Sequence, residues 1–422
     1  MNQIQLFLPC AAGVEGYLAD EVHQLTGLAG MDLQTLRGGV LLRASWREAM
    51  LLNLHSRLAQ RVLVQLSQTM YRNEKDLYEA ASDVAWEIWF TTRQTFKIEV
   101  TAQHSPLQSL NFAALKIKDA VADRFRHKSG ERPDVNTQWP DVRIHAHLTT
   151  DQATLYIDTS GEPLFKRGWR EDKGDAPLKE TLAAAMIAAS GWNPHGDTPL
   201  PLYDPCCGSG TIAIEAAQIA CRIPAGAHRR FAFEKMLPFQ SHVWRVLLDE
   251  AEDAVTEPKV PIFGSDVSHR MVDFAERNAE RAGVARVVEF RGGDALQRLP
   301  PAPEGVLLLN PPYGERIAVA GVAGQRADVV ARQPRESRES RETAQTEDGG
   351  DFFPALATHW KRNFAGWSAW VLTPDAKLPG RMRLKESRRV PMWNGPIECR
   401  LFRFDMVAGS ARNKTEKVDR PA

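Results

Sequence analysis

The stretch Asp204-Pro205-Cys206-Cys207-Gly208-Ser209-Gly210-Thr211 lies between an apolar run at 200–203 and a helical pattern. Glycines in such a loop let the backbone pass close to a ligand and let the following helix pack against a sheet. A helix beginning at Thr211 would also present free backbone N–H groups to a polar or anionic ligand end. A Gly-x-Gly turn alone is equally consistent with a ligand-binding loop and with a purely structural turn. The surrounding strands decide between these two interpretations.

Those strands predict an α/β fold with a parallel sheet. An Ala-rich helix at 179–190 precedes the loop, and further strands are predicted at 261–266, 286–291, 305–309 and 368–373. Alternation of strands and helices is typical of a parallel sheet with helices on both faces. The continuous apolar run of the 305–309 strand fits burial on both faces.

Two more acidic residues follow neighbouring strands. Asp266 ends the next strand, where a carboxylate could accept both hydroxyls of a ribose, and Asp294 follows the third strand as Gly292-Gly293-Asp294-Ala295. A helical insertion predicted at 231–255 accounts for the long separation of Asp266 from Asp204. Either residue alone could be a helix cap, but open α/β sheets bind ligands at this edge. Together they favour a ligand site.

The loop chemistry narrows the ligand. No Gly-Lys-Ser/Thr follows the glycines, which excludes an ATPase phosphate loop, and the third glycine of a dinucleotide fingerprint is missing. An adenosyl ligand without a pyrophosphate fits better, and S-adenosylmethionine is the predicted cofactor. Five cysteines without CxxC spacing predict neither a disulfide framework nor a metal site.

The fourth strand ends in Asn310-Pro311-Pro312-Tyr313-Gly314. Two prolines hold the backbone extended, so the Asn310 side-chain oxygen and the Pro311 carbonyl would be fixed acceptors near one point. Such acceptors could hold the hydrogens of a nucleobase amine, favour the tetrahedral geometry that frees its lone pair, and stabilise developing charge. Tyr313 would offer a face for stacking of a flipped base. Because the Asn-Pro-Pro-Tyr motif follows the fourth strand, on the same edge as the glycine loop, a catalytic role is favoured over that of a loop without function.

Residues 1–65 and 66–165 each read as a small α+β module. A helix predicted at 110–128 carries basic residues, and two arginines follow near the junction with the α/β part. The candidate phosphate contacts are Lys116, Lys118, Arg124, Arg126, Lys128, Arg167 and Arg170. Nearby acidic residues leave only a thin basic excess, so a solvated helix face explains the helix about as well.

Composition sets the broad class. The chain has 422 residues with 53 Lys and Arg and 53 Asp and Glu, so any nucleic-acid surface must be local. No apolar run approaches the ~18 residues of a membrane span, and the start lacks a signal peptide, which predicts a cytoplasmic protein.

Residues 318–350 are predicted to be a disordered insertion and 408–422 a polar tail. Nothing indicates an obligate protein partner.

Both loop motifs together resemble those of the THUMP-domain RNA guanine-N2 methyltransferases, above all the bacterial enzymes that act on 23S ribosomal RNA. The resemblance extends to 116–119, 165–170 and 177–185 and covers 1–405 apart from the insertion. It implies a ferredoxin-like module (1–65), an RNA-binding THUMP domain (66–165) and a Rossmann-like class I methyltransferase domain (166–407). Some relatives carry a second methyltransferase domain, and the length of this chain predicts the single-domain form.

The resemblance also implies roles for individual residues. Asp266 would hold the ribose, Asp294 the adenine amine, and the Gly208–Gly210 loop the methionine end. Ala295 would also bind the cofactor. Lys179, Glu180 and Thr181 would line the same pocket.

These inferences predict methylation of a guanine N2 in 23S ribosomal RNA. The same chemistry on transfer RNA is the next alternative, and a non-catalytic RNA-binding ribosome-assembly factor is an alternative from another class. Adenine-N6 methylation of DNA and glutamine methylation of protein also use Asn-Pro-Pro-Tyr, but the two N-terminal modules argue against both.

Overall fold

A computed structural model describes residues 3–174, 177–311 and 352–407. In these ranges the chain forms two seven-stranded sheets. Predictions for Pro312, Tyr313, the 318–350 insertion and the 408–422 tail concern residues outside the described ranges.

The first sheet has the order β2-β3-β1-β4-β7-β6-β5. Its strands are β1 Ile4–Pro9, β2 Leu33–Leu36, β3 Gly39–Ala44, β4 Leu63–Met70, β5 Phe96–Ala102, β6 Val142–Leu148 and β7 Gln152–Asp158. The helices that pack against it are α1 Glu15–Thr26, α2 Trp46–His55, α3 Glu74–Asp83 and α4 Leu110–Ser129. Antiparallel pairing of β1 with β4 joins the two N-terminal modules into one sheet, and β4 spans the boundary predicted at residue 65.

The second sheet follows residue 166. Its strands are β8 Leu202–Asp204, β9 Ile262–Asp266, β10 Val288–Gly292, β11 Gly305–Leu309, β12 Trp367–Thr373, β13 Arg388–Asn394 and β14 Ile397–Asp405. Its helices are α5 Glu180–Ser190, α6 Thr211–Ala220, α7 Ser241–Asp253, α8 His269–Arg281, α9 Phe352–Asn363 and α10 Leu378–Met382.

The order of the second sheet is β10-β9-β8-β11-β12-β14-β13. Strands β8 to β12 are parallel, which confirms the predicted parallel sheet, whereas β14 and β13 form an antiparallel hairpin that the sequence reading missed. Strand order reverses between β8 and β11, which are adjacent and parallel. In open α/β sheets, ligands bind at such a switch point, outside the carboxyl ends of the strands.

Both faces of β11 are buried, as its apolar run predicted. Leu308 packs into the core that includes helices α5 and α6 and continues into the first sheet. Its neighbours Leu307 and Leu309 pack with Trp360 of α9 on the other face. This alternation fixes the register of β11 and hence the position of the loop that follows it.

The connection between α6 and α7 differs from prediction. We expected a helical insertion over 231–255, but the helix occupies only 241–253. Residues 221–240 instead pack on the first sheet and its helices through backbone hydrogen bonds, among them Gly226 N to Leu54 O at 2.8 Å and Phe233 N to Thr159 O at 2.9 Å. The segment joins the two sheets, and its burial against another module explains its lack of helical periodicity.

Candidate active site

The glycine loop follows β8, and its two glycines have different roles. Gly210 has φ +87, and a Cβ there would lie 3.0 Å from both Ala275 Cβ and Phe290 Cζ. Gly208 also has positive φ, +52, but a Cβ there would meet nothing within 4 Å. Gly210 therefore allows α6 to pack closely against its neighbours, whereas Gly208 leaves open space beside the backbone for a ligand.

Asp266 links the end of β9 to this loop. Its Oδ2 accepts a hydrogen bond from Gly208 N at 3.0 Å, and its Oδ1 accepts one from Ser268 N at 2.9 Å. Asp294, beyond β10, accepts from Leu296 N at 2.9 Å. The carboxylates predicted at three neighbouring strand ends therefore lie along one edge of the sheet.

Asp204 is almost fully buried, 1% exposed, with one hydrogen bond from Cys206 N at 3.0 Å. Burial raises the pKa of Asp204 to about 8, and the nearby charge of Asp266 adds to the effect. Burial also raises the pKa of Asp266. Neither carboxyl forms an ion pair with a cation in the described ranges. Buried carboxyl groups with raised pKa values and no cation partner are typical of ligand sites.

Asn310 is the first residue after β11. Pairing of Val306 with Leu202 and of Leu307 with Tyr203 sets β11 beside β8, so the Asn310 loop and the glycine loop leave adjacent strands. Asn310 Oδ1 is buried and has no hydrogen-bond partner among the residues that the structure describes. A buried acceptor without a partner destabilises the fold by about 1–3 kcal/mol, which is expected where a ligand supplies the missing donor.

The beginning of α5 lies beside the beginning of α6. Glu180 is 3% exposed, and its Oε1 lies 2.9 Å from Arg170 Nε. Arg170 Nη2 also donates to Thr211 Oγ1 at 2.7 Å, so one guanidinium holds both helix starts together. Thr181 is buried and Lys179 is exposed at the same end of α5.

The residues predicted to bind cofactor therefore share this edge. They are Asp204, Pro205, Gly208, Gly210, Thr211, Asp266, Asp294 and Ala295 at the strand ends, with Lys179, Glu180 and Thr181 at the start of α5. Cys206 and Cys207 lie in the loop, and burial raises the pKa of both thiols well above the ordinary value. They are therefore protonated and unsuited to act as nucleophiles.

Two predicted RNA contacts require correction. Arg167 is 1% exposed; its Nε donates to Glu215 Oε1 at 2.9 Å and its Nη2 to Arg57 O at 2.8 Å. The Arg170 side chain is 10% exposed and binds Glu180. Prediction of both as RNA contacts is wrong, because each guanidinium already binds partners inside the protein and cannot reach a phosphate.

Most predicted contacts on α4 are also engaged. Arg124 makes two hydrogen bonds to Glu87, at 2.8 and 2.7 Å, which hold the pKa of that carboxyl down to about 2. Lys118 pairs with Asp119, Arg126 with Asp123, and Lys116 lies over the ring of Phe112. Lys128 is exposed and makes no ion pair within the described ranges. An RNA role for α4 stays a prediction.

Sequence reasoning missed the charges at the junction between the sheets. Glu215 of α6 is fully buried and pairs with Arg57 Nη1 at 3.0 Å and with Arg167 Nε at 2.9 Å. Burial alone would raise the pKa of Glu215, but Arg167 and Arg57 together lower it. Arg57 and Glu215 are 158 positions apart, so no local pattern could have indicated this contact.

Two features are absent from the residues that the structure describes. No group of three or more His, Cys, Asp or Glu side chains there could hold a metal ion. No helix there is long and apolar enough to cross a membrane.

Comparisons with known proteins agree with this architecture. An RlmL ferredoxin-like domain matches residues 5–63, a THUMP domain 71–158, and an RMKL-like methyltransferase domain 167–325. Proteins named ribosomal RNA large subunit methyltransferase K/L from Psychromonas ingrahamii and Shewanella frigidimarina are 37% and 35% identical over 95% and 97% of this chain. The chain spans about half the length of these curated relatives, 50% and 54%.

Solved structures with the same architecture cover nearly the whole chain. SMU.472, a candidate methyltransferase crystallised with S-adenosylhomocysteine, is 27% identical with a TM-score of 0.80, over 97% of this chain and 100% of that one. A Listeria monocytogenes protein named for N6-adenine-specific DNA methylation is 28% identical with a TM-score of 0.78, over 96% of each chain.

We call the gap between the glycine loop after β8 and the Asn310 loop after β11 the crevice. The fold and the crevice define a class of protein in which a Rossmann-like methyltransferase domain follows ferredoxin-like and THUMP domains. The glycine loop and the Asn310 loop both leave the sheet at the switch point between β8 and β11. In these respects the chain is similar to THUMP-domain methyltransferases that combine the RlmL ferredoxin-like domain with the RMKL-like methyltransferase domain.

Proposed function

We propose that this chain transfers a methyl group from S-adenosylmethionine to the exocyclic N2 of a guanine in 23S ribosomal RNA. The shared edge of β8 and β11 is the observation that carries the proposal, since it brings the glycine loop beside Asn310. The names of the Psychromonas and Shewanella relatives support the ribosomal substrate. S-adenosylhomocysteine in the SMU.472 crystal supports the cofactor.

The crevice suits an adenosyl cofactor with a methionine end. Open space beside Gly208 can receive the methionine end. Each carboxylate oxygen of Asp266 accepts one backbone N–H and retains a lone pair for a ribose hydroxyl. Asp294 and Ala295 stand one strand further along, where the adenine would lie. When bound, S-adenosylmethionine supplies a methyl group activated by a positively charged sulfur.

Catalysis by the chain itself rests on two acceptors. Asn310 Oδ1 lacks a partner in the described structure and can accept one hydrogen of the guanine amine. Pro311 is buried beside it, and its carbonyl would accept the other. Holding both hydrogens favours a tetrahedral nitrogen with a free lone pair and stabilises positive charge as the new bond forms. Since the methylated amine loses its proton readily afterwards, the protein mainly orients the amine.

Position within the crevice depends on the network behind it. Arg170 connects Glu180 at the start of α5 to Thr211 at the start of α6. Glu215, one turn further along α6, is held by Arg57 and Arg167. Buried ion pairs at α6 therefore hold the glycine loop that precedes this helix. They limit movement of the methionine end of the cofactor relative to Asn310.

Two experiments test the function. Calorimetric titration with S-adenosylhomocysteine should show binding, whereas no heat would favour a non-catalytic RNA-binding assembly factor. Mass spectrometry of nucleosides from a deletion strain should show loss of N2-methylguanosine from 23S ribosomal RNA. Loss from transfer RNA alone would instead assign the same chemistry to that substrate, and loss of N6-methyladenine from DNA would overturn the proposal.

A further inference from the structure

The connection between the two sheets carries a phenylalanine that neither apolar core covers. Phe165 lies between β7 and α5, and its side chain is partly exposed. It is absent from both apolar cores of the described ranges, whereas other partly exposed rings, such as Phe239 and Phe290, pack against the larger core. Single exposed apolar residues are common on protein surfaces, so the surroundings of this ring decide whether it has a role.

Two arginines hold the backbone on both sides of Phe165. Arg167, which is buried, donates from Nη1 to Leu164 O at 2.8 Å. Arg229 donates from its own Nη1 to Lys166 O at 3.0 Å. The ring therefore stands on a fixed loop, and a preorganised ring loses little conformational entropy when a ligand stacks on it.

A lysine from the start of α5 accompanies the ring. Lys179 Nζ lies 5.1 Å from the centroid of the Phe165 ring, and this lysine is exposed. Such a pair suits a nucleotide, because the ring can stack on a base while the ammonium group neutralises a phosphate. Phe274 with Arg277 forms a similar pair on α8, so the position of each pair in the fold decides between them.

The start of α5 lies at the edge of the second sheet that holds the candidate active site. Arg170 binds Glu180 near that start and Thr211 at the start of α6, directly after the glycine loop. At the other end of α5, Trp192 Nε1 donates to Leu200 O at 2.8 Å, just before β8 begins. Helix α5 therefore runs from the carboxyl edge of the parallel strands to their amino edge.

Helix α5 also contacts β11, the strand that ends immediately before Asn310. Its first residues therefore flank the Asn310 loop, and the ring of Phe165 beside Lys179 belongs to the same edge of the sheet. Phe165 also lies in the connection that leads from the THUMP domain to the methyltransferase domain. An RNA bound by the first domain and held at Asn310 would pass this ring.

We propose that Phe165 stacks on the base of a nucleotide adjacent to the guanine held at Asn310, and that Lys179 binds a phosphate of the same strand. This inference rests on the RNA methyltransferase function proposed above. A guanine that leaves its stack uncovers the neighbouring base, and an aromatic ring at this edge replaces the lost stacking. Since every base has a face that can stack, Phe165 positions the strand, whereas Asn310 holds the amine.

The test compares Phe165→Ala with Phe274→Ala in the full chain. Phe274 is also partly exposed beside arginine side chains, but α8 connects β9 to β10, on the opposite side of β8 from β11. Filter binding of transcribed, unmodified 23S ribosomal RNA measures the affinity. Loss of one stacked base should weaken RNA binding by Phe165→Ala about 5- to 150-fold, whereas the control should bind within about two-fold of wild type.

Two further variants separate stacking from apolar packing. Phe165→Tyr keeps an aromatic face and should bind RNA within about two-fold of wild type. Phe165→Leu fills similar space without an aromatic face and should bind RNA as weakly as Phe165→Ala. Wild-type affinity in Phe165→Leu or Phe165→Ala, or an equal loss in Phe165→Tyr or Phe274→Ala, would overturn the stacking contact.

Salt dependence tests the lysine separately. Lys179→Ala should reduce the slope of log affinity against log salt by about 0.7, the value of one single-strand phosphate contact, whereas Phe165→Ala should leave the slope unchanged. S-adenosylhomocysteine affinity should stay within about two-fold of wild type in both variants. Weaker cofactor binding by Lys179→Ala with an unchanged slope would assign Lys179 to the cofactor and contradict its phosphate contact.

Failure of the proposed function would be recognised independently. A wild-type protein that does not bind S-adenosylhomocysteine would contradict methyl transfer. The RNA affinities of the Phe165 variants do not depend on the cofactor, so they alone decide the stacking contact.

Discussion

Buried carboxyl groups occur in two regions of this protein and behave in opposite ways. At the crevice, burial raises the pKa values of Asp204 and Asp266, which have no cation partner among the described residues. At the junction between the sheets, Glu215 has two arginine partners that lower its pKa despite burial. A buried carboxyl group without a cation partner therefore indicates a ligand site, whereas a buried carboxylate paired with arginines has a structural role.

Asp158 at the end of β7 belongs with the paired group. It is fully buried, and burial alone would raise its pKa, but His145 and Arg61 overcome that effect and lower it. Arg57, between α2 and β4, connects the N-terminal part to Glu215 of α6, whereas Asp158 pairs with Arg61 and His145 within the N-terminal part. Removal of one member should destabilise the fold, whereas changes at the crevice should act on binding and turnover.

The largest stability effect is expected at the junction. Glu215→Ala leaves two buried guanidinium groups without a carboxylate and should destabilise the protein by about 3–5 kcal/mol, measured by urea denaturation. Glu250→Ala is the matched control, because Glu250 pairs with Arg47 on the surface and such pairs contribute about 1 kcal/mol or less. If both substitutions lowered the free energy of unfolding equally, the buried ion pairs at the junction would be no more important for stability than a surface pair, which would contradict the account.

At the crevice, Asn310→Ala should act on turnover. Loss of a preorganised acceptor should lower kcat about 10²–10³-fold, about 2.7–4 kcal/mol, with S-adenosylhomocysteine affinity within a few-fold of wild type. Asn363→Ala, whose amide bonds His359 within α9, should leave kcat unchanged. Full turnover in Asn310→Ala would exclude the proposed role of its side-chain oxygen.

Asp266 should control cofactor affinity. Asp266→Ala removes both hydroxyl acceptors and the bond to Gly208 N, and should weaken S-adenosylhomocysteine by about 1.5–3 kcal/mol, the value of hydrogen bonds to a charged group. Calorimetry measures the change. Asp273→Ala, an exposed carboxylate on α8, serves as the control. Unchanged affinity in Asp266→Ala would mean that the ribose lies elsewhere.

A further prediction, whose size depends on pH, concerns the proton on Asp204. With a pKa of about 8 in the folded protein and an ordinary value of 3.8, the folded state retains a proton that the unfolded state releases. Stability should therefore fall as pH rises from 3.8 to 8, and Asp204→Asn should remove that contribution. A cationic cofactor would favour the charged form, so binding at pH 7 should release about one proton.

Titration calorimetry in buffers of different ionisation enthalpy measures this release. The ligand should be S-adenosylmethionine, since its sulfonium carries the charge in question. No proton release by the wild type, or equal release by Asp204→Asn, would contradict the assignment of Asp204 as an unpaired acid facing the cofactor.

The parallel sheet and its ligand edge could be predicted from local patterns. A few adjacent residues are enough to indicate the glycine loop at 204–211, the apolar strand at 305–309 and the loop at Asn310. The topology of a parallel sheet then brings the carboxyl ends of its strands to one edge. The glycines also indicated a tight loop, although only the coordinates distinguish the packing role of Gly210 from the open space at Gly208.

Features that depend on distant partners could not be predicted. A basic side chain has the same appearance in sequence whether it is exposed or, like Arg167, enclosed by Glu215 and the backbone of Arg57. For the same reason the helical pattern assigned to 231–255 failed where the chain packs on another module.

A structure of the protein with bound S-adenosylhomocysteine tests the central claim most directly. We predict that the ribose contacts Asp266, that the methionine end lies over Gly208, and that the sulfur faces Asn310 across the gap between β8 and β11. A nucleoside bound at the opposite edge of the sheet, or separated from Asn310 by a closed wall, would contradict methyl transfer at this crevice.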